Sequence, residues 1–405
     1  MISRRAQHEM RSDLTKFFSS FFREYEQKTT NGMFDLSIGN VCGIPAVEET
    51  LLTALKHVGQ KVSRLTKYPG TQGYFPLNQK IAELVKRETK KTVNPEDIIL
   101  TNGALDGLYQ LFYTMCNPGD YFYYCSPSFP YWSPADKAGV KSSVVVYKNP
   151  FDYAHTYGSI FQKKVQQNKL IKLAVVNEPH NPIGKSLEPE QIKILRDTAN
   201  DNDVQIVLDE VYRSFAPEKK WIGESFDNAV MVDSFSKRFG MPGLRLGFIH
   251  APKEIVPYVR AGMANQVVGM NMLTALVADS VLETALTTNF TKFIAREIAR
   301  RQSKLDNALR KISSYGVVTH RPEGGIYRLL AVDELVENNK MDALTVCQQL
   351  EKHHVKAVPG IKLFADGTDP VRSPKILRLS VGGEPHTEEA GEKIVEAIEE
   401  IARGS

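Results

Sequence analysis

The sequence predicts an α/β fold: a mostly parallel sheet in a large domain with helices on both faces, joined to a smaller α+β domain. Three observations carry this. Between residues 97 and 250, short near-continuous apolar runs alternate with amphipathic helical stretches, as in parallel sheets buried on both faces. Small polar residues and turn formers cluster at the carboxyl ends of those runs, where such sheets bind ligands. Beyond about residue 290 the texture changes to short strands, Pro/Gly turns and helices. The expected partition is 1–60 as an N-terminal arm with part of the small domain, 61–289 as the large domain and 290–405 as the small one.

With 405 residues the chain can hold two or three cores, and 42% hydrophobic with 24% charged residues is ordinary for a soluble globular protein. A net charge of +4 gives no case for nucleic acid as a partner. Cys42, Cys116, Cys125 and Cys347 lack CxxC spacing, which argues against a zinc ribbon or disulfide framework and fits a reducing, cytoplasmic setting. No metal site is expected. No apolar run is long enough to span a membrane, and Met1 to Arg5 are not backed by the apolar core of a secretory signal.

In chain order, residues 12–27 predict an amphipathic helix with Leu14, Phe17, Phe18, Phe21, Phe22 and Tyr25 on one stripe. The stripe packs on the chain's own body, on a second subunit, or as a lid over a site. The run Phe34 to Asn40 alternates into a glycine. Helices are expected over 45–62 and 76–89, with the turn-rich Tyr68-Pro69-Gly70-Thr71-Gln72-Gly73 between them. Residues 97–101 read as a buried strand that turns through Asn102-Gly103-Ala104-Leu105 into a helix. A strand, a small-residue turn and a helix N-terminus together suit an anion, although many strand-to-helix turns contain glycine. Strand 121–125 runs into Ser126-Pro127-Ser128-Phe129-Pro130-Tyr131-Trp132, whose aromatics either stack on a flat ligand or form a core cluster. Strands 144–147 and 172–176 follow. The second ends in Asn177-Glu178-Pro179-His180-Asn181-Pro182-Ile183-Gly184, dense turn chemistry that fixes a polar side chain at a strand end. A helix over 189–202 leads to strand 205–208, closed by Asp209-Glu210-Val211-Tyr212. Residues 254–312 read as long helical stretches, and within them the many arginines and lysines of 290–309 suggest a solvated helix face. Strands at 317–319, 326–330, 355–358 and 376–380 and helices at 341–353 and from 386 complete the small domain, to which the residues before about 60 return.

The chain is organised around Val232-Asp233-Ser234-Phe235-Ser236-Lys237-Arg238-Phe239-Gly240-Met241-Pro242-Gly243-Leu244-Arg245-Leu246-Gly247-Phe248. A lysine between small polar residues at the end of a buried strand suits an imine, because desolvation frees its lone pair. Ser234, Ser236 and the fork of Arg245 suit a phosphate. A solvated Ser/Lys/Arg loop is the other reading of this stretch alone. Arg378 alternates with Leu377 and Leu379, so if buried it needs an anionic partner, either a substrate carboxylate or an acid of the small domain.

Taken together, Tyr68-Pro-Gly-Thr-Gln-Gly73, Thr101-Asn-Gly-Ala-Leu105, Asn181-Pro-Ile-Gly184, Asp209-Glu-Val-Tyr212, Ser234-Phe-Ser-Lys237 with Arg245, and Arg378-Leu-Ser380 resemble the fold-type I pyridoxal phosphate enzymes, the class I/II aminotransferases in particular. The resemblance runs from about Leu36 to Ser380. It implies pyridoxal 5'-phosphate as cofactor, held by Lys237 as a Schiff base. By that resemblance Asp209 would pair with the pyridine nitrogen, and Asn181 and Tyr212 would hydrogen-bond the phenolic oxygen. Gly103, Ala104, Leu105, Ser234, Ser236 and Arg245 hold the phosphate, and Phe129 stacks on the ring. By the same resemblance Tyr68 would reach the phosphate of a neighbouring subunit, which implies a homodimer with shared sites. Arg378, assisted by Gly39 and Asn181, binds the substrate α-carboxylate. The implied reaction moves an amino group between an L-amino acid and a 2-oxo acid. Relatives that cyclise, eliminate or oxidise amino acids are the second reading. A non-catalytic regulatory protein with this body is the third, which a fused helix-turn-helix domain would support. Ile183 stands where threonine is commoner in the family, and Glu178 has no assigned role at this point.

Overall fold

The computed structural model describes residues 32–71, 73–147, 149–216, 222–364 and 375–404. The stripe of residues 12–27 lies outside the described residues. The strands are β1 (Phe34–Asp35), β2 (Ile98–Thr101), β3 (Tyr121–Ser126), β4 (Lys141–Val146), β5 (Ile171–Asn177), β6 (Gln205–Asp209), β7 (Val230–Ser234), β8 (Gly247–His250), β9 (Val318–Thr319), β10 (Tyr327–Ala331), β11 (Val355–Lys356), β12 (Val358–Pro359) and β13 (Ile376–Ser380).

Seven of them form one sheet in the order β2-β8-β7-β6-β5-β3-β4. β3 through β7 pair in parallel. β8 is antiparallel to both β7 and β2, so β2 runs with the others. β8 turns back because the chain leaves β7 at Ser234 and re-enters at Gly247 on the same edge. A parallel return would need a crossover to the opposite edge. The carboxyl ends of β2, β3, β5, β6 and β7 thus share one edge, together with the first residue of β8. The strands are apolar because both faces are covered: β2 and β7 are buried at every position. Helices Ala104–Met115, Tyr153–Gln167 and Pro189–Asp201 supply much of that cover.

A second, antiparallel sheet has the order β12-β13-β10-β9. The single strand expected over 355–358 is two: β11 pairs in parallel with β1, while β12 joins β13. Phe34–Asp35 therefore returns to the C-terminal part of the chain, whereas the helix Pro45–Gly59 packs against Met272–Thr287.

The stretch 254–312 resolves into helices Val256–Val267, Met272–Thr287 and Phe290–Ala308. Its basic residues are not all solvated. Arg301 is fully buried, and it donates to the carbonyls of Cys42 (3.0 Å), Gly43 (3.0 Å) and Gly382 (2.7 Å) and to Glu297 (2.9 Å). A buried guanidinium must be satisfied donor by donor. Arg301 is satisfied by tying the segment after Gly39 to the segment after β13.

Candidate active site

Lys237 sits in a four-residue helix, Phe235–Arg238, opened by Ser234, whose Oγ accepts the Ser236 N–H at 3.3 Å. One turn is too short to hold itself. It is held from below by Arg238, which is 2% exposed. Arg238 Nε donates to Asp233 Oδ2 at 2.9 Å, and its Nη1 donates to both oxygens of Glu88 at 2.5 and 2.6 Å. Asp233 in turn accepts the Ser234 N–H at 2.6 Å. The Lys237 side chain is part-buried, and its Nζ donates to the Gly39 carbonyl. Burial pushes its pKa down to about 8, aided by the charges of Arg378 and Arg245 and opposed by Asp209.

Asp209 ends β6 and is 4% exposed. It accepts the Tyr131 hydroxyl at 2.6 Å and the Val211 N–H at 3.4 Å. Burial pushes its carboxyl up to about 6, against those two hydrogen bonds and with Asp233 adding to the rise. Asn177, at the end of β5, donates to the Asp209 carbonyl at 3.0 Å and accepts the Asn181 N–H at 2.7 Å. This positions Asn181, whose buried Oδ1 finds no hydrogen-bond partner among the described residues. Glu178 is buried beside it and accepts the Leu187 N–H at 3.3 Å, so its carboxylate closes the loop on itself.

Gly103 has φ +85°, and a Cβ there would lie 2.8 Å from Arg245 Nη2. A Cβ on Gly247 would lie 2.7 Å from the Ala104 nitrogen. Two glycines therefore let Arg245 and the start of β8 approach the N-terminus of the helix Ala104–Met115. This cradle of Gly103, Ala104, Leu105 and Arg245 is shaped for an anion.

Arg378 is part-buried between Leu377 and Leu379. Its Nη2 donates to the Ser37 carbonyl at 2.9 Å, and its guanidinium lies 4.4 Å from the centroid of the Tyr327 ring. No carboxylate takes its Nε among the described residues, so the small-domain acid considered as its partner is not found there. Tyr212 meets Tyr327 hydroxyl to hydroxyl at 2.9 Å. Phe129 is part-buried, edge-on to Tyr131 with centroids 5.5 Å apart.

The fold thus gathers Gly39, Asp209, Tyr212, Lys237, Arg245, Gly103 and Arg378 at one edge of the large sheet. Tyr68 is not gathered: it stands 91% exposed. Sequence reasoning did not single out Tyr131, Asn177, Arg238, Asp233, Glu88, Gly247 and Tyr327. Tyr131 and Asn177 lay in loops already marked by their aromatic and turn content, and Arg238 adjoins Lys237. Glu88 and Tyr327 carried no local signal.

The profile of "Aminotransferase class I and II" matches residues 31–398. Among similar proteins, the aspartate aminotransferase of Sulfurisphaera tokodaii is 27% identical over 303 residues, covering 73% of this chain and 74% of that protein. The aspartate/prephenate aminotransferase of Thermus thermophilus is 26% identical over 310 residues, 75% of this chain and 77% of that one. In fold, the chain is similar to the kynurenine aminotransferase of Pyrococcus horikoshii, with TM-score 0.82, 19% identity and coverage of 99% and 97%. It is also similar to the aspartate aminotransferase of Thermotoga maritima, with TM-score 0.78, 22% identity and coverage of 99% of each chain. Because the family match spans nearly the whole chain and not one motif, the chain belongs to the class I and II aminotransferases and is an enzyme that works with pyridoxal phosphate.

Proposed function

We propose that the enzyme moves an amino group between an L-amino acid and a 2-oxo acid, with the cofactor attached through Lys237 Nζ. The observation that carries this reading is the lysine itself: an amine pushed down to about 8 at the edge where Asp209, Arg245 and Arg378 converge. The residues fit the cofactor. Asn181 offers an unpartnered buried Oδ1, the glycine cradle admits a phosphate, and Asp209 is a buried carboxylate suited to a cationic ring nitrogen. When bound, pyridoxal phosphate supplies a ring that takes up the electrons released at Cα.

Asp209, aimed by Tyr131, keeps the ring nitrogen protonated. Asn181 and Tyr212 serve the phenolic oxygen. Gly103, Ala104, Leu105, Ser234, Ser236 and Arg245 hold the phosphate, and Phe129 covers the ring. Arg378, with the Gly39 backbone and Asn181, grips the α-carboxylate in a fork that orients the Cα–H bond. Lys237 Nζ would hold and move the proton at the substrate Cα. Tyr68 completes the site of a second copy. Its exposure supports a homodimer, as does that of Leu52, Leu55, Val62 and Leu65, apolar side chains left uncovered in the single chain. The partition at residues 60 and 290 and a cytoplasmic setting belong to the same reading. No helix among the described residues is long and apolar enough to cross a membrane.

Borohydride reduction of the holoenzyme followed by peptide mapping tests the attachment: the pyridoxyl group belongs on Lys237, and a label on another lysine overturns it. Incubation with single amino acids, beginning with aspartate because relatives are named for it, tests the reaction. Release of the matching 2-oxo acid with pyridoxamine phosphate left on the enzyme supports transfer. A product that keeps its nitrogen refutes it.

A further inference from the structure

Tyr327 belongs to β10 of the small sheet, yet its hydroxyl stands in the site of the large one. It lies 2.9 Å from the Tyr212 hydroxyl, with the rings edge-to-face and centroids 5.3 Å apart. Both side chains are buried. The opposite side of the contact is also occupied: the Tyr327 ring carries the Arg378 guanidinium, 4.4 Å from its centroid. A Cβ on residue 39 would come within 2.2 Å of the Tyr327 hydroxyl. Glycine at 39 therefore leaves this hydroxyl its place, and the Gly39 carbonyl receives the Lys237 amine. One phenol thus borders the side chain assigned to the substrate carboxylate, the side chain assigned to the cofactor and the backbone that meets the lysine.

Each phenol has one proton to give and can accept as well. If Tyr212 gives its proton to a ligand, the contact with Tyr327 survives only with Tyr327 as donor. We infer that Tyr327 is a positioning residue for the reaction: its hydroxyl donates to Tyr212 and so turns the Tyr212 proton toward the phenolic oxygen of the cofactor. The inference rests on the placing of Tyr212 proposed above. A hydroxyl that accepts one hydrogen bond donates the next more strongly. A stronger donor at the phenolic oxygen draws electron density from the cofactor and lowers the pH at which the nitrogen joined to Lys237 sheds its proton. The charged groups acting on Tyr212 from other elements are Arg378 of β13 and Asp209 of β6. Lys237 meets the cluster through Gly39. None of them is altered in a Tyr327→Phe variant.

The test is the pH midpoint of the cofactor's absorbance change in holoenzyme, read beside kcat and KM. Tyr327→Phe keeps the ring under Arg378 and deletes the hydroxyl. It should raise the midpoint by about half to one pH unit, the scale of one hydrogen bond between neutral groups. Tyr212→Phe should raise it further. In Tyr327→Phe, kcat should fall several-fold while KM for the amino acid stays within about twofold, since the cation–π contact is kept. Gly39→Ala is a second route: it pushes the Tyr327 hydroxyl aside and should move the midpoint the same way. Gly39→Ala/Tyr327→Phe should lie close to Tyr327→Phe alone, because the clashing oxygen is gone and the nearest atom left is the ring Cζ at 3.3 Å. If Tyr212→Phe moves the midpoint and neither Tyr327→Phe nor Gly39→Ala does, this inference fails and the placing of Tyr212 stands. If Tyr212→Phe leaves the midpoint in place, both fail. A rise in KM with unchanged kcat and midpoint would make Tyr327 a packing residue only.

Discussion

Asp209→Asn should make the apoprotein more stable and the enzyme nearly inactive. The carboxyl group is 4% exposed, and burial raises it from 3.8 to about 6. The folded apoprotein therefore binds this proton more tightly than the unfolded chain does. Stability is not reduced by Asp209 below pH 3.8, declines as pH rises toward about 6, and carries the full penalty above that. A difference of 6 minus 3.8 is 2.2 units, which at 1.36 kcal/mol per unit is about 3 kcal/mol. An amide has no such term. It can still accept from Tyr131, but it leaves an N–H₂ to satisfy, which returns about 1 kcal/mol. The expected gain in apo Asp209→Asn is about 2 kcal/mol at pH 8 and roughly half the ionisation part at pH 5. Denaturant midpoints of cofactor-free protein at the two pH values measure it. In the holoenzyme the order should reverse, since on the proposed placing the carboxylate would face a cationic ring nitrogen that an amide cannot hold protonated. Turnover should drop by about 10²–10³, the scale of a removed electrostatic stabiliser. An apo variant less stable than the parent at pH 8, or a gap that does not change with pH, would refute the reasoning.

Other outcomes follow from the same geometry. Arg238→Met strands the Asp233 carboxylate and should cost roughly 3–5 kcal/mol in denaturant unfolding, whereas Asp233→Leu/Arg238→Met should recover most of it. Arg378→Lys and Arg378→Ala should lose affinity for an amino acid but little for the matching amine that lacks the carboxylate, with cofactor binding intact. Equal losses for both ligands in a titration would make Arg378 structural. Mixing inactive Lys237→Ala with inactive Tyr68→Ala should restore part of the activity, because one hybrid site is whole. A monomer by sedimentation at micromolar concentration ends that expectation.

The large sheet, and the strand ends where the candidate site residues sit, were legible in residue order alone. Strands buried on both faces must be apolar runs, and residues that leave those runs for polar chemistry do so at strand ends. Hence Gly103, Asn181, Asp209 and Lys237 were legible as neighbours although they are far apart in sequence. The local spelling around Lys237 and Asn181 is constrained by turn geometry, and turn geometry is written in adjacent residues. What depends on packing between distant segments emerges only when the elements are folded together. The reversal of β8 and the split of residues 355–358 between two partners are matters of pairing, which propensity does not encode. Arg301 sat in a charged helix that looked solvated. Its burial follows from backbone carbonyls at residues 42, 43 and 382 that converge on one helix position. Tyr327 read as one more strand residue. Its place between Tyr212, Gly39 and Arg378 exists because β10 and β13 pair side by side and carry it to the edge of the other sheet. Periodicity along the chain tells which face of an element is buried, whereas the identity of the group waiting on the other side is fixed only when the elements dock.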